Sequence, residues 1–119
     1  MGFDFEKLDI YKKAINFATN IYKITKDFPN KEIYGLVSQL RRAAVSISAN
    51  IAEGNGRYNK GEFTQYLRIA RGSIYECIPL LEISLKEEYI IKSGFDRLIA
   101  DCNELAKMLN GLIKSLNRS

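Results

Sequence analysis

The stretch Ser46–Glu76, SISANIAEGNGRYNKGEFTQYLRIARGSIYE, decides the fold. Apolar residues recur every three or four positions before Gly54 and again after Asn59, which is the spacing of one face of a helix. Between them lies Gly54-Asn55-Gly56-Arg57, a run with no helical periodicity. Two helices joined by a short turn is the reading, with Gly54 as the expected stop of the first in a left-handed conformation. Asn59 followed by Glu62 has the spacing of a capping box and starts the second.

Working outward, the same periodicity extends in both directions. The upstream helix is expected over about 31–53, with Ile33, Leu36 or Val37, Leu40, Ala44, Ile47 and Ile51 as its core stripe. The downstream helix is expected over about 59–89, through Phe63, Leu67, Ala70, Ile74, Cys77 or Ile78, Leu81 and Leu85. Pro79 lies inside it and removes one backbone donor, which predicts a bend near Tyr75. A third helix, about 4–28, has two apolar stripes. One is Leu8, Tyr11, Ile15, Ala18 and Tyr22; the other is Ile10, Ala14, Phe17, Ile21 and Ile24. It ends at Phe28-Pro29 because a residue before proline avoids the helical region. A fourth, about 93–117, steps through Phe95, Leu98, Cys102, Leu105, Leu109, Leu112 and Leu116, with Ser93 and Asp96 as an expected cap. No segment alternates like a strand. Short connections place neighbours antiparallel, so the expected fold is all-α, one domain over 1–119, an up-down-up-down four-helix bundle.

Composition narrows the function. At 119 residues the chain is one domain with room for a real core. It has no apolar run near 18 residues, which excludes a membrane helix. The start, MGFDFEKLD, has no signal-peptide core, and Gly2 lacks the hydroxyl residue of a myristoylation site because position 6 is Glu6. A cytoplasmic protein is the expectation, with Cys77 and Cys102 as buried free thiols. Histidine is absent. The commonest general base and the commonest transition-metal ligand are therefore missing, and neither catalysis nor a cofactor is expected.

Charge points to a partner. Between Gln39 and Tyr75 lie six basic residues (Arg41, Arg42, Arg57, Lys60, Arg68, Arg71) and two acidic ones (Glu53, Glu62). That surplus of four equals the net charge of the whole chain, +4. On a helical wheel Lys60, Thr64, Arg68, Arg71 and Tyr75 share one face, suited to phosphate contacts and base stacking. Arg41, Arg57, Lys60, Arg68 and Arg71 are the candidate nucleic-acid contacts. A solvated cationic face without a ligand weighs equally on charge alone.

A second stripe is polar beside the apolar seam: Arg42, Ser46, Asn50 and Glu53 on one helix, Ser73 and Glu76 on the next. Buried polar groups must be paired. These residues, with Arg57, are expected to form one internal network fixing the two helices. The alternative, Glu53 and Glu76 as a catalytic or metal-binding carboxylate pair, lacks the histidines of di-metal bundles. Apolar residues off the core stripes, notably Ile69, Leu80 and Ile83, favour self-association over a wide core.

The runs QLRRAAVSISANIAEGNGR (39–57) and LRIARGSIYE (67–76), with Phe63, FEKLDIYKKA near the start and FPNKEIYGL at 28–36, resemble the four-helix-bundle family encoded in intervening sequences of 23S ribosomal RNA genes. The resemblance covers nearly the whole chain. It implies a homo-oligomer, a pentamer, of undefined biochemical role. A related bundle, the accessory protein of diversity-generating retroelements, implies RNA and a reverse transcriptase as partners. Five copies would carry about +20 of charge, enough to matter for nucleic-acid affinity. The reading is a non-enzymatic homo-oligomeric bundle that binds RNA or DNA through a basic face. The alternative is a protein-interaction scaffold without a nucleic-acid ligand.

Overall fold

The structure, a computed structural model, describes residues 4–118, with Lys7 by its backbone alone. The Gly2 reading lies outside the described residues. Among the described residues the chain forms four α-helices: α1 (Asp9–Thr25), α2 (Leu36–Asn55), α3 (Lys60–Lys86) and α4 (Lys92–Leu116). No strand occurs among the described residues. The body measures 47 × 26 × 21 Å, and α3 spans most of its length, since 27 residues rise about 40 Å.

The direction of each helix follows from its cross-contacts. Ser46 of α2 meets Ser73 of α3, whereas Gly54, further along α2, meets Tyr66, further back on α3. Thr64 of α3 pairs with Asn117 of α4, and Arg71 with Asn110. Lys13 of α1 reaches Asp101 and Glu104 of α4, whereas Ile24 lies beside Gly94. Each of these three pairs therefore runs antiparallel, and α1 must also oppose α2. The order is up-down-up-down.

The core is the seam foreseen from periodicity. Phe17, Ile21, Leu40, Ile47, Ile51, Leu67, Ile74, Leu81, Leu105 and Leu109 are fully buried. In α1 the stripe Ile10, Ala14, Phe17 and Ile21 faces inward, and Ile15 and Tyr22 of the other stripe are exposed. Both cysteines are free and buried, one on α3 and one on α4. Burial pushes each thiol up to about 12 from 9.0, with the Cys102 charge adding for Cys77 and the Asp101 charge adding for Cys102. The core therefore favours neutral thiols.

Several helix ends differ from expectation for identifiable reasons. α1 stops at Thr25, where the Thr25 hydroxyl donates to the Ile21 carbonyl at 2.7 Å. Phe28 then turns back into the core and packs on Tyr89, ring centroids 5.3 Å apart. The segment at 31–35 does not begin α2; a short 3₁₀ turn (Asn30–Glu32) precedes it, and Ile33 is 48% exposed rather than core. Gly35 has no side chain to cap α2. Glu32 does so instead, accepting from the Leu36 N–H at 3.3 Å and from the Tyr89 hydroxyl at 3.0 Å. A Cβ on Gly35 would sit 2.8 Å from the Glu32 carboxylate, so the glycine leaves room for that cap.

Asn59 caps α3 as expected, accepting from the Glu62 N–H at 2.7 Å. α3 runs unbroken through Pro79. Ser93 is not the cap of α4, which starts one residue earlier with Ile91 in the cap position. Leu80, expected among the surplus apolar residues, is buried, whereas Ile69 and Ile83 remain exposed.

Candidate nucleic-acid interface

The five candidate cations fall in three places. Lys60, Arg68 and Arg71 lie on α3. Arg57 sits in the α2–α3 turn. Arg41 lies on α2, facing α1.

On α3, Lys60 and Arg68 are exposed, and neither makes an ion pair or side-chain hydrogen bond among the described residues. Arg71 is half-buried and donates to the Asn110 amide oxygen of α4 at 2.7 Å. Thr64, placed on the same stripe by the helical wheel, is buried and accepts from the Asn117 amide at 3.3 Å. These two contacts show which flank of α4 faces the stripe. Lys107, Asn110, Lys114 and Asn117 share that flank by helical spacing, and Arg118 follows it. All three cations are exposed. The basic patch therefore spans two helices at one end of the bundle, with Tyr75, itself half exposed, at its inner limit. The α4 half was missed from the sequence, although Lys107, Asn110, Lys114 and Asn117 step 3, 4, 3 and could have been read as a polar stripe.

The opposite flank of α4 is acidic. Asp101 and Glu104 there face Lys13 of α1 at 3.5 and 3.4 Å. α4 thus separates charge of opposite sign across its width.

Arg57 is held internally. Its guanidinium donates to Glu53 at 3.2 Å and to the Tyr66 hydroxyl at 2.6 Å, and it lies over the Tyr66 ring at 4.9 Å. Arg41 is likewise fixed. It donates to the Thr25 hydroxyl at 3.0 Å and the Tyr22 carbonyl at 3.4 Å, and stacks over the Tyr22 ring at 4.5 Å. It lines a groove of about 900 Å³ between α1, α2 and the connection that joins them.

The polar residues form two clusters rather than one network. In the first, Asn50 donates to the Ser46 carbonyl and hydroxyl at 2.8 and 2.9 Å, and the Ser73 hydroxyl donates to Ser46 at 3.0 Å. That cluster pins α2 to α3 in register. The second is Glu53–Arg57–Tyr66. Arg42 and Glu76 belong to neither: both are exposed, with no hydrogen bond or ion pair among the described residues. The reason is spacing, since Ser46 and Ser73 already close the seam and leave the longer side chains outside it. The Glu53 and Glu76 carboxylates are not gathered with other ligands; no group of three or more acidic or cysteine side chains is placed to hold a metal among the described residues.

Gly54 is buried and helical, not a left-handed stop; no glycine among the described residues has a positive φ. A Cβ there would lie 2.7 Å from the Tyr66 Cβ and 3.3 Å from the Phe63 carbonyl oxygen. Its role is close approach of α2 and α3, which brings Arg57 onto Tyr66 and sets where Lys60 emerges.

Comparison with known proteins agrees with this architecture. No curated protein is significantly similar to the chain. A crystal structure of a protein of unknown function from the S23 ribosomal protein family of Bacteroides thetaiotaomicron VPI-5482 superimposes with a TM-score of 0.81 at 28% identity, over 88% of this chain and 98% of that one. No helix is long and apolar enough to cross a membrane among the described residues. The family model of the 23S rRNA-intervening sequence protein matches residues 6–111, and the chain belongs to that family.

Proposed function

We propose that this protein is a non-enzymatic, homo-oligomeric four-helix bundle that binds structured RNA through the α3/α4 basic patch. One observation carries the reading. Lys60, Arg68 and Arg71 of α3 share an end of the bundle with Lys107, Lys114 and Arg118 of α4. None of the six makes an ion pair among the described residues. Cations left unpaired can replace the counterions of a phosphate backbone, and the released ions drive association. The family's link to ribosomal RNA genes is consistent with RNA as the partner, and the exposed Ile69 and Ile83 supply apolar surface for subunit contacts.

Fluorescence anisotropy with a short structured RNA, titrated with salt, tests the reading. Each phosphate contact contributes about −0.9 to the slope of log K against log salt on a duplex. Replacing Arg68→Glu and Arg71→Glu together reverses two charges of the patch, at the cost of the Arg71–Asn110 hydrogen bond. The double variant should bind the RNA at least about tenfold more weakly and with a shallower salt slope, while its helical circular dichroism stays near wild type. Wild-type affinity and salt slope in a folded double variant would show that the patch is only a solvated face.

A further inference from the structure

We infer that the groove between α1 and α2 holds an unpaired strand of RNA, as a second contact distinct from the α3/α4 patch. The inference rests on the proposed RNA-binding function, and it adds where and in what form the strand is read. The groove is lined by Lys26, Arg41 and Arg42, and no carboxylate lines it. The acids nearest in sequence are turned elsewhere or engaged: Asp27 is not part of the lining, and Glu32 is held by Leu36 and Tyr89. A polyanion therefore finds three cations and no opposing charge.

The same groove presents aromatic rings. Tyr34 is 96% exposed, and Tyr22 is 42% exposed with the Arg41 guanidinium stacked on it at 4.5 Å. Two hydrogen bonds from Arg41 fix that stack before any ligand arrives. Stacked rings and guanidinium planes beside a cationic track are what sequence-tolerant single-strand sites use. Paired bases hide their faces inside the helix, so a duplex cannot use Tyr22 or Tyr34 in this way. The α3/α4 patch, by contrast, has Tyr58 and Tyr75 near it, but among the described residues no guanidinium is stacked on either ring. An acidic peptide would satisfy the cations equally, but it would leave a nearly bare tyrosine ring without a flat partner.

Ultraviolet cross-linking of the full chain to a 4-thiouridine-containing single strand, with the adducts mapped by mass spectrometry, tests the assignment. Anisotropy with the same strand, free or annealed to its complement, is run on wild type, Tyr34→Ala and Arg68→Glu/Arg71→Glu. Adducts on the peptides carrying Tyr22 or Tyr34 are expected. Tyr34→Ala should weaken single-strand binding about tenfold or more, the loss of one stack, and leave duplex binding unchanged. Adducts confined to α3 and α4, with Tyr34→Ala binding as wild type, would overturn the groove assignment and leave the proposed function standing. Absence of any RNA binding at low salt would overturn both. A changed molecular mass of Tyr34→Ala in light scattering would also overturn it, by showing that the groove is a protein–protein contact. Tyr34 is almost wholly exposed, so its removal leaves the core intact.

Discussion

The two turns that flank α3 are built by opposite means. At the α2–α3 junction the sequence supplies glycines, and none is left-handed. Gly54 is there because α2 and α3 touch, with the Tyr66 Cβ 2.7 Å from where a side chain would begin. At the α3–α4 junction a left-handed residue is required and the sequence supplies no glycine. Glu88 takes φ 64°. Its N–H bonds the Leu85 carbonyl at 3.0 Å, and the Tyr89 N–H bonds the Ser84 carbonyl at 2.9 Å. That pair of bonds is a Schellman motif. Gly54 therefore marks contact between helices, and a charged residue, Glu88, carries the left-handed backbone.

The largest test of that contrast is Gly54→Val. Its side chain would meet Tyr66 and the Phe63 backbone, which cannot yield without parting α2 from α3. A loss of about 3 kcal/mol is expected in chemical denaturation. A loss below about 1 kcal/mol would mean that the helices are not in close contact. Such a variant should also loosen the Ser46–Ser73 bond, since both lie on the same seam.

The α3–α4 seam is sensitive to pH instead. The folded state holds both thiols neutral, with values near 12 against 9.0 unfolded. Stability from these groups is full below pH 9 and is lost as pH rises toward 12, because the unfolded thiols release protons first. At pH 10.5 the loss is about 2 kcal/mol per thiol, at 1.4 kcal/mol per unit. Unfolding free energies measured from pH 8 to 10.5 should fall, and the fall should flatten in a Cys77→Ala/Cys102→Ala variant. An equal fall in both proteins would contradict thiol burial as the cause.

The smallest effect has the opposite sign. Glu88→Gly removes a left-handed strain of about 1–2 kcal/mol but gives the unfolded chain more freedom. A net gain of about 0.5 kcal/mol is expected, read as a small rise in melting temperature. A loss would show that the Glu88 side chain contributes more than its backbone costs.

These contrasts explain what the sequence could reveal. The core was legible because Leu98, Cys102, Leu105 and Leu109 repeat at helical spacing, and periodicity needs no knowledge of neighbours. Helix ends were less so. Glu32 caps α2 from four residues away and Phe28 turns back to Tyr89, and both depend on tertiary contacts. A wheel drawn for one helix puts Thr64 on the basic stripe and cannot show that Asn117 of another helix covers it. Lys107 and Lys114 escaped for the same reason: they join Arg68 and Arg71 only after α3 and α4 pack. Charge alone groups Arg41 with them, yet the fold turns it toward α1 and Tyr22.

The most direct measurement is light scattering on protein purified at low salt, with the 260/280 nm absorbance ratio read across the peak. The chain has seven tyrosines and no tryptophan, so bound nucleic acid would dominate the ultraviolet signal. The expected mass is two or more times 13.6 kDa, with a nucleic-acid ratio that high salt restores to that of protein. A 13.6 kDa monomer with a protein ratio, which gains neither mass nor anisotropy when RNA is added at low salt, would contradict it.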